Sequence, residues 1–277
     1  MNRYARRAAE FLLPKRAFVT LQCIRSRNYQ MRVQRECGIY QATQEMIEDY
    51  GLTVLHGPFR GMQYPKSSLM HRDGIPILFG AYEMELHPVI EEVASKRYEC
   101  ILNIGSAEGY YAVGLALRTK TKVFAFDCEP RERFYLRRMA LLNSVSDLIQ
   151  ARSWCDSTVL SRLVERRRCL VVSDCEGYEL DLFDEKSVTT LRDSDLIIEL
   201  HEGFPGTNVR NTLLERFQAS HQSRVITFDP DNFGSSSVPE KWQKFAREWR
   251  HPRQEWVFLR STCTAPLAQS AEIQYRR

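Results

Sequence analysis

Cys100-Ile101-Leu102-Asn103-Ile104-Gly105-Ser106-Ala107-Glu108-Gly109-Tyr110-Tyr111 decides the fold. A short apolar run, a glycine-bounded loop and a helical pattern read as strand, tight turn and helix. The strand falls at 100–104 and the helix at 110–117. Outward from there the alternation repeats. Strands are expected at 122–126, 148–152, 169–173, 195–200, 224–228 and 255–260, with helices at 131–143, 157–167 and 210–220. Strands alternating with helices imply an α/β fold, a seven-stranded, mostly parallel sheet with helices on both faces. The last two strands, joined across a helix around Trp242 to Trp249, suit an antiparallel edge, and Trp242, Trp249 and Trp256 are expected to pack there.

Upstream the character changes. Residues 1–50 read as a basic helical N-terminal extension, with 41–50 a short helix. Residues 51–97 are a strand, loop and helix lead-in, 98–262 the core and 263–277 a tail. Gly57-Pro58-Phe59-Arg60-Gly61 marks strands and turns within 52–65, 66–76 reads as a loop, and a helix runs through Glu85 to Ile90. The net charge is +4, yet residues 1–36 hold nine Lys/Arg against two Glu, which leaves the body mildly acidic. Such an arm suits peripheral contact with an anionic membrane surface or nucleic acid or, more simply, a solvated helix with one face on the body.

No run approaches the roughly 18 apolar residues of a membrane helix. Pro14, Lys15 and Arg16 interrupt the apolar stretch that a signal peptide needs. The expectation is a cytoplasmic protein. Eight cysteines include no C-x-x-C pair, which speaks against structural zinc and for scattered thiols in a reducing compartment.

Gly105 permits a sharp turn out of the strand, and Gly109 opens the helix with N–H groups facing a ligand. The loop lacks the G-x-G-x-x-G spacing that seats a pyrophosphate, so it suits a nucleoside-like cofactor without phosphates. Asp127 ends the next strand, 22 residues past Gly105, where a carboxylate accepts from both ribose hydroxyls. A cap on the following helix is the alternative, and Glu129 is a second candidate for the ribose. Beyond the fourth strand comes Ser173-Asp174-Cys175-Glu176-Gly177-Tyr178-Glu179, and ending the fifth Ile197-Ile198-Glu199-Leu200-His201-Glu202. Ligands of open parallel sheets collect beyond the carboxyl ends of the strands, so Asp174 and Glu176 point towards the crevice of the glycine loop. Glu199 and His201, two apart, share a strand face beside Asp174.

In this order Gly105 to Tyr111, Phe126-Asp127, Asp174 to Glu179 and Glu199-Leu200-His201 resemble the FkbM-type S-adenosylmethionine-dependent methyltransferase family, over about residues 98–228. Asp-Cys-Glu-Gly-Tyr-Glu at 174–179 is the most specific part. Asn103 stands where that family commonly has Asp, and Asp127 where Phe-Glu-Pro is common. The resemblance implies a Rossmann-like sheet, S-adenosylmethionine as cofactor, and O-methylation of a hydroxyl on a sugar, glycolipid or natural-product scaffold. The cofactor site is then expected at Asn103, Gly105, Ser106, Glu108, Gly109, Asp127 and Asp174. Tyr82 and Glu83 would lie in a lid position against the cofactor's methionine part; a buried tyrosine beside a solvent-facing glutamate is the plainer alternative.

The catalytic residues expected are His201, Asp174 and Glu199. An unperturbed pKa of about 6.5 suits His201 to the role of base. Asp174 is the alternative base, and a structural hydrogen bond from His201 to Glu199 or Asp174 weighs equally. A further arrangement makes Asp174, Glu199 and His201 ligands of a divalent cation that acidifies the hydroxyl, with His221 as an added candidate whose plainer reading is a helix-terminal cap; the metal-free site is favoured. The acceptor expected is a small-molecule or glycan hydroxyl. A nucleic-acid or protein methyltransferase using the basic arm is the second reading, disfavoured because no Asn/Asp-Pro-Pro-Tyr run ends the fourth strand. A catalytically silent cofactor-binding module is the third. The glycine spacing argues against a nicotinamide oxidoreductase, and the sequence specifies no oligomeric state.

Overall fold

Cys100–Ile104 (β1) is buried along its whole length, as a strand with neighbours on both sides and helices on both faces must be. It pairs in parallel with Val123–Phe126 (β2), which pairs with Ile149–Arg152 (β3). On its other side lies Cys169–Ser173 (β4), then Asp195–Leu200 (β5), both parallel and fully buried. Glu255–Ser261 (β7) inserts antiparallel between β5 and His221–Thr227 (β6), giving the order β3-β2-β1-β4-β5-β7-β6. This is the expected Rossmann-like, mostly parallel seven-stranded sheet, with its antiparallel edge. The computed structural model describes residues 35–70, 73–201, 208–229, 237–246, 248 and 254–263, with scattered positions between 17 and 32.

Two cores follow from the period of two along each strand. Ile101, Val123, Ala125, Leu170, Val172 and Ile197 face one of them, together with Val113 and Ala116 of Tyr110–Thr119 (α5) and Leu136 and Met139 of Pro130–Leu142 (α6). Leu102, Ile104, Val171, Leu196 and Ile198 face the other, against Leu160 of Ser157–Val164 (α7) and Phe217 of Val209–Phe217 (α10). Short helices Glu179–Leu182 (α8) and Glu185–Thr190 (α9) follow β4. Trp242, in Glu240–Gln243 (α11), and Trp256 are buried as expected, while Trp249 lies outside the described residues.

The lead-in differs most from expectation. It holds Ile39–Tyr50 (α1), Lys66–Leu69 (α2), Gly74–Phe79 (α3) and His87–Ala94 (α4), so the stretch 66–76 is partly helical. Pro76 is tolerated because it sits in the first turn of α3. Strand pairing within 52–65 reduces to one isolated bridge, Thr53 to Gln63. The segment packs on the core rather than beside the sheet. Phe59 meets Tyr110 at 5.0 Å and Tyr111 at 6.1 Å, and a Cβ at Gly114 would stand 2.5 Å from the Phe59 ring. Helix α7 ends at Val164, short of the expected 167, and Arg166 adopts a φ of 57° that no helix continues through. The described positions between 17 and 36 are helical. No helix among the described residues is long and apolar enough to cross a membrane.

Candidate active site

The chain runs outward from β1 to β3 and then returns to β4 on the opposite side of β1. A crevice opens at such a reversal, beyond the carboxyl ends of the two diverging strands. Here the strand tips touch. The Asp174 N–H donates to the Ile104 carbonyl at 2.9 Å, and a Cβ built on Gly105 would stand 1.6 Å from the Asp174 carbonyl oxygen. Gly105 also has a φ of 76°. Both the space and the backbone demand glycine.

The loop that follows is tied to the tip of β2. The N–H groups of Gly105 and Ser106 both donate to the Phe126 carbonyl at 2.8 Å. Ala107, at a φ of 46°, donates to Asp127 Oδ2 at 2.8 Å, while Oδ1 accepts from the Glu129 N–H at 2.8 Å. Asp127 therefore holds the glycine loop in shape. It does not cap α6, whose N-cap position is Glu129. Gly109 is the N-cap of α5, at a φ of 108°. Asn103, Ser106, Glu108 and Glu129 are buried around the loop. Asn103 Oδ1 and Ser106 Oγ have no hydrogen-bond partner among the described residues. Buried polar atoms of this kind are rare in a native fold unless a ligand or water satisfies them.

Glu83 is buried and lies at a φ of 50°; its carboxylate accepts from the Tyr111 hydroxyl, and its N–H donates to Glu248 Oε1 at 2.8 Å. Tyr82 is only half-buried, its ring edge-on to Tyr110 at 5.0 Å. The alternative of a buried tyrosine beside a solvent-facing glutamate is thus reversed. Through Tyr111 the pair reaches α5, the helix that the glycine loop opens.

At the tips of β4 and β5 the acids and the imidazole converge. His201 Nδ1 lies 2.7 Å from Glu179 Oε1, and Nε2 lies 3.6 Å from both Asp174 Oδ1 and Glu199 Oε2. Glu179 is fully buried, and sequence reasoning gave it no role. Its only signal was its place as the last acid of the 174–179 motif. Burial alone would lower the His201 pKa, but the hydrogen bond and charge of Glu179, with Asp174 and Glu176, outweigh it and hold it at about 9. At neutral pH the imidazole keeps its proton, which corrects the expectation of a base poised near 6.5. Burial, then the charge and hydrogen bond of Asp174, push the Glu199 carboxyl well above the usual range, and Gln254 Nε2 donates to its Oε1.

His221 does not join this group. It opens β6 at the opposite end of β5, with Nε2 2.9 Å from the Ser194 carbonyl and Nδ1 2.9 Å from Ser220 Oγ. Burial pushes its pKa below the ordinary range, against the Ser194 carbonyl and the charges of Asp195 and Asp193. The unfolded imidazole takes up its proton near about 6.5 and the native one only at lower pH. The stability it contributes is therefore full above that value and lost as the pH falls below it. His221→Gln should show a shallower fall in melting temperature between pH 7 and pH 5 than the wild type. Equal slopes in thermal scans would show that His221 is not a source of the loss.

No family model and no curated protein matches the sequence. Among solved structures, the chain is similar to human methyltransferase 10 domain containing protein at 14% identity and a TM-score of 0.44, covering 80% of this chain and 97% of that one. It is also similar to the bifunctional kinase-methyltransferase WbdD (16%, 0.42, covering 64% and 37%) and to Trm5b from Pyrococcus abyssi (15%, 0.41, covering 66% and 50%). The chain thus spans less than two fifths of WbdD and half of Trm5b. At such identities and scores the likeness reaches no further than the course of the chain.

Proposed function

We propose that the protein is an S-adenosylmethionine-dependent methyltransferase that O-methylates a hydroxyl of a sugar, glycolipid or natural-product scaffold. One observation carries this reading. The glycine loop after β1 packs directly on the Asp174 backbone, so a cofactor crevice and an acid–imidazole cluster share one wall. The donor set fits a cationic nucleoside. Glu83, Glu108 and Glu129 bring buried carboxyl groups to the loop and its helix, Asn103 Oδ1 and Ser106 Oγ are unspent polar atoms, and the Asp127 carboxylate at the tip of β2 would meet the ribose hydroxyls. Bound there, the cofactor supplies a methyl group on a positively charged sulfur that leaves as a neutral thioether.

The protein's own task is to orient the acceptor hydroxyl and to take its proton. His201 already holds a proton, so the accepting group is the Asp174 carboxylate, whose side chain is 38% exposed. The imidazolium beside it steadies the charge before transfer, and Glu179 fixes the ring. His201 acts here as a positioning residue.

Two measurements test the reading. Calorimetric titration with S-adenosylhomocysteine should show micromolar binding. With labelled cofactor and a panel of sugar, glycolipid and phenolic acceptors, Asp174→Asn and His201→Ala should lose about a hundredfold in turnover, the size expected of a lost proton acceptor, while binding the demethylated cofactor within about threefold of the wild type. Tight cofactor binding with turnover untouched by either substitution would assign the chemistry elsewhere. Binding without turnover on any acceptor would leave a silent cofactor-binding module.

A further inference from the structure

Asp174, Glu176, Glu179 and Glu199 surround the single imidazole of His201. Glu179 is the innermost, with no exposed surface. Its Oε1 is aimed at Nδ1 and also accepts from the Gly177 N–H at 3.2 Å, and its Oε2 has no hydrogen-bond partner among the described residues. A buried carboxylate that fixes one ring nitrogen in this way presents the other as an oriented ligand, the arrangement that stands behind most metal-binding histidines.

The presented nitrogen, Nε2, stands 3.6 Å from one oxygen of Asp174 and 3.6 Å from one of Glu199, too far for a hydrogen bond to either. Asp174 Oδ1 is itself buried, and the Asp174 carboxylate shares a hydrogen bond with Glu199. Two ligands each about 2.1 Å from one ion lie roughly 3.0 to 3.4 Å apart, from octahedral to tetrahedral angles. The Nε2 to Oδ1 gap is only a little wider than that. The ligand atoms of Asp174, Glu176 and His201 all lie within 4.8 Å of one another. Glu199 is turned partly away by Gln254, which occupies its Oε1.

We propose that Asp174, Glu176 and His201 bind one divalent transition-metal cation, with Glu179 orienting the imidazole and Glu199 beside it. The set differs from the one expected from sequence, since Glu176 replaces Glu199 as a ligand. One imidazole with two carboxylates suits Mn²⁺, Fe²⁺ or Zn²⁺ better than Ca²⁺ or Mg²⁺, which favour oxygen alone. Three protein ligands leave a position for an exchangeable oxygen. Binding displaces the proton that His201 carries in the metal-free site. On the reading of this crevice given above, and only on it, the exchangeable oxygen is the hydroxyl of the acceptor, which the cation acidifies in place of the Asp174 carboxylate.

Titration of the metal-free full-length protein with MnCl₂, followed by calorimetry and by the paramagnetic resonance signal of free Mn²⁺, tests the site. One ion per chain should bind, and His201→Ala and Asp174→Asn should each weaken it at least about tenfold. Glu179→Gln, which touches no ion, should weaken it about tenfold through loss of the orienting carboxylate. Asp49→Asn, on α1, should leave it unchanged. Circular dichroism on the same samples separates loss of the site from loss of the fold. Absence of a one-to-one site, or binding equal in the wild type and in folded His201→Ala and Asp174→Asn, overturns the proposal. Titration with S-adenosylhomocysteine in parallel keeps the outcomes apart: Mn²⁺ bound with no cofactor binding sinks the methyltransferase reading alone, and the reverse sinks the cation site alone.

Discussion

Gly105→Ala should weaken S-adenosylhomocysteine binding at least about tenfold, or 1.4 kcal/mol, and should lower the melting temperature as well. A methyl group at this position would lie 1.6 Å from the Asp174 carbonyl oxygen, which is backbone and cannot swing aside. The loop, the tip of β4 or both must move, and each carries part of the crevice. The 76° φ adds strain of about 1–3 kcal/mol for any side chain. Gly177→Ala provides the comparison. Gly177 also has a positive φ, 98°, but a Cβ there meets nothing within 4 Å. That variant should lose stability through strain alone and keep cofactor affinity within about threefold. If calorimetry finds the two variants equally impaired in binding, the contact between Gly105 and Asp174 is not what shapes the crevice.

Asp127→Ala should have an effect of similar size for a different reason. The wild-type carboxylate accepts from the Ala107 and Glu129 N–H groups, so truncation strands two backbone donors, each at roughly 1–3 kcal/mol if water cannot reach it. Ala107 is held at a φ of 46° with the help of that bond. The loop should relax and the demethylated cofactor should bind at least about tenfold more weakly. Asp127→Asn keeps an acceptor oxygen for one donor and should recover part of the loss. An alanine variant with wild-type affinity would show that neither the loop bond nor a ribose contact depends on this carboxylate.

The sheet was largely legible in the sequence because its central strands are apolar runs with no alternation. The bounds of β1, β4 and β5 agree with the reading to the residue, since each is buried on both faces and ends at a charge or a glycine. Edge strands were less clear. β6 begins at His221, three residues before the expected start, because Gln222 and Ser223 are exposed and carry no apolar signal. Nothing local told that β7 would slip between β5 and β6, as partner choice is a property of the whole sheet.

The site divides in the same way. Gly105, Asp174, Glu199 and His201 could be placed at strand tips by period and order alone. The pairing of His201 with Glu179 spans 22 residues and depends on the neighbourhood of β4 and β5, which the sequence suggests but does not orient. The raised His201 pKa is a consequence of that pairing, so it was invisible as well. Asp127 was read for what it offers a ligand, whereas both its oxygens also serve backbone donors of its own fold.

The place of β7 has a consequence for how the chain is made. β5, which carries Glu199 and leads to His201, obtains its second neighbour only from residues 255–261. Synthesis from the amino terminus therefore delivers the whole parallel half, and α10 after it, while one edge of β5 still shows a row of unpaired amides and carbonyls. Until the last strand leaves the ribosome, the nascent domain presents a sticky flank of apolar residues, the state in which a chaperone is most needed and aggregation most rapid.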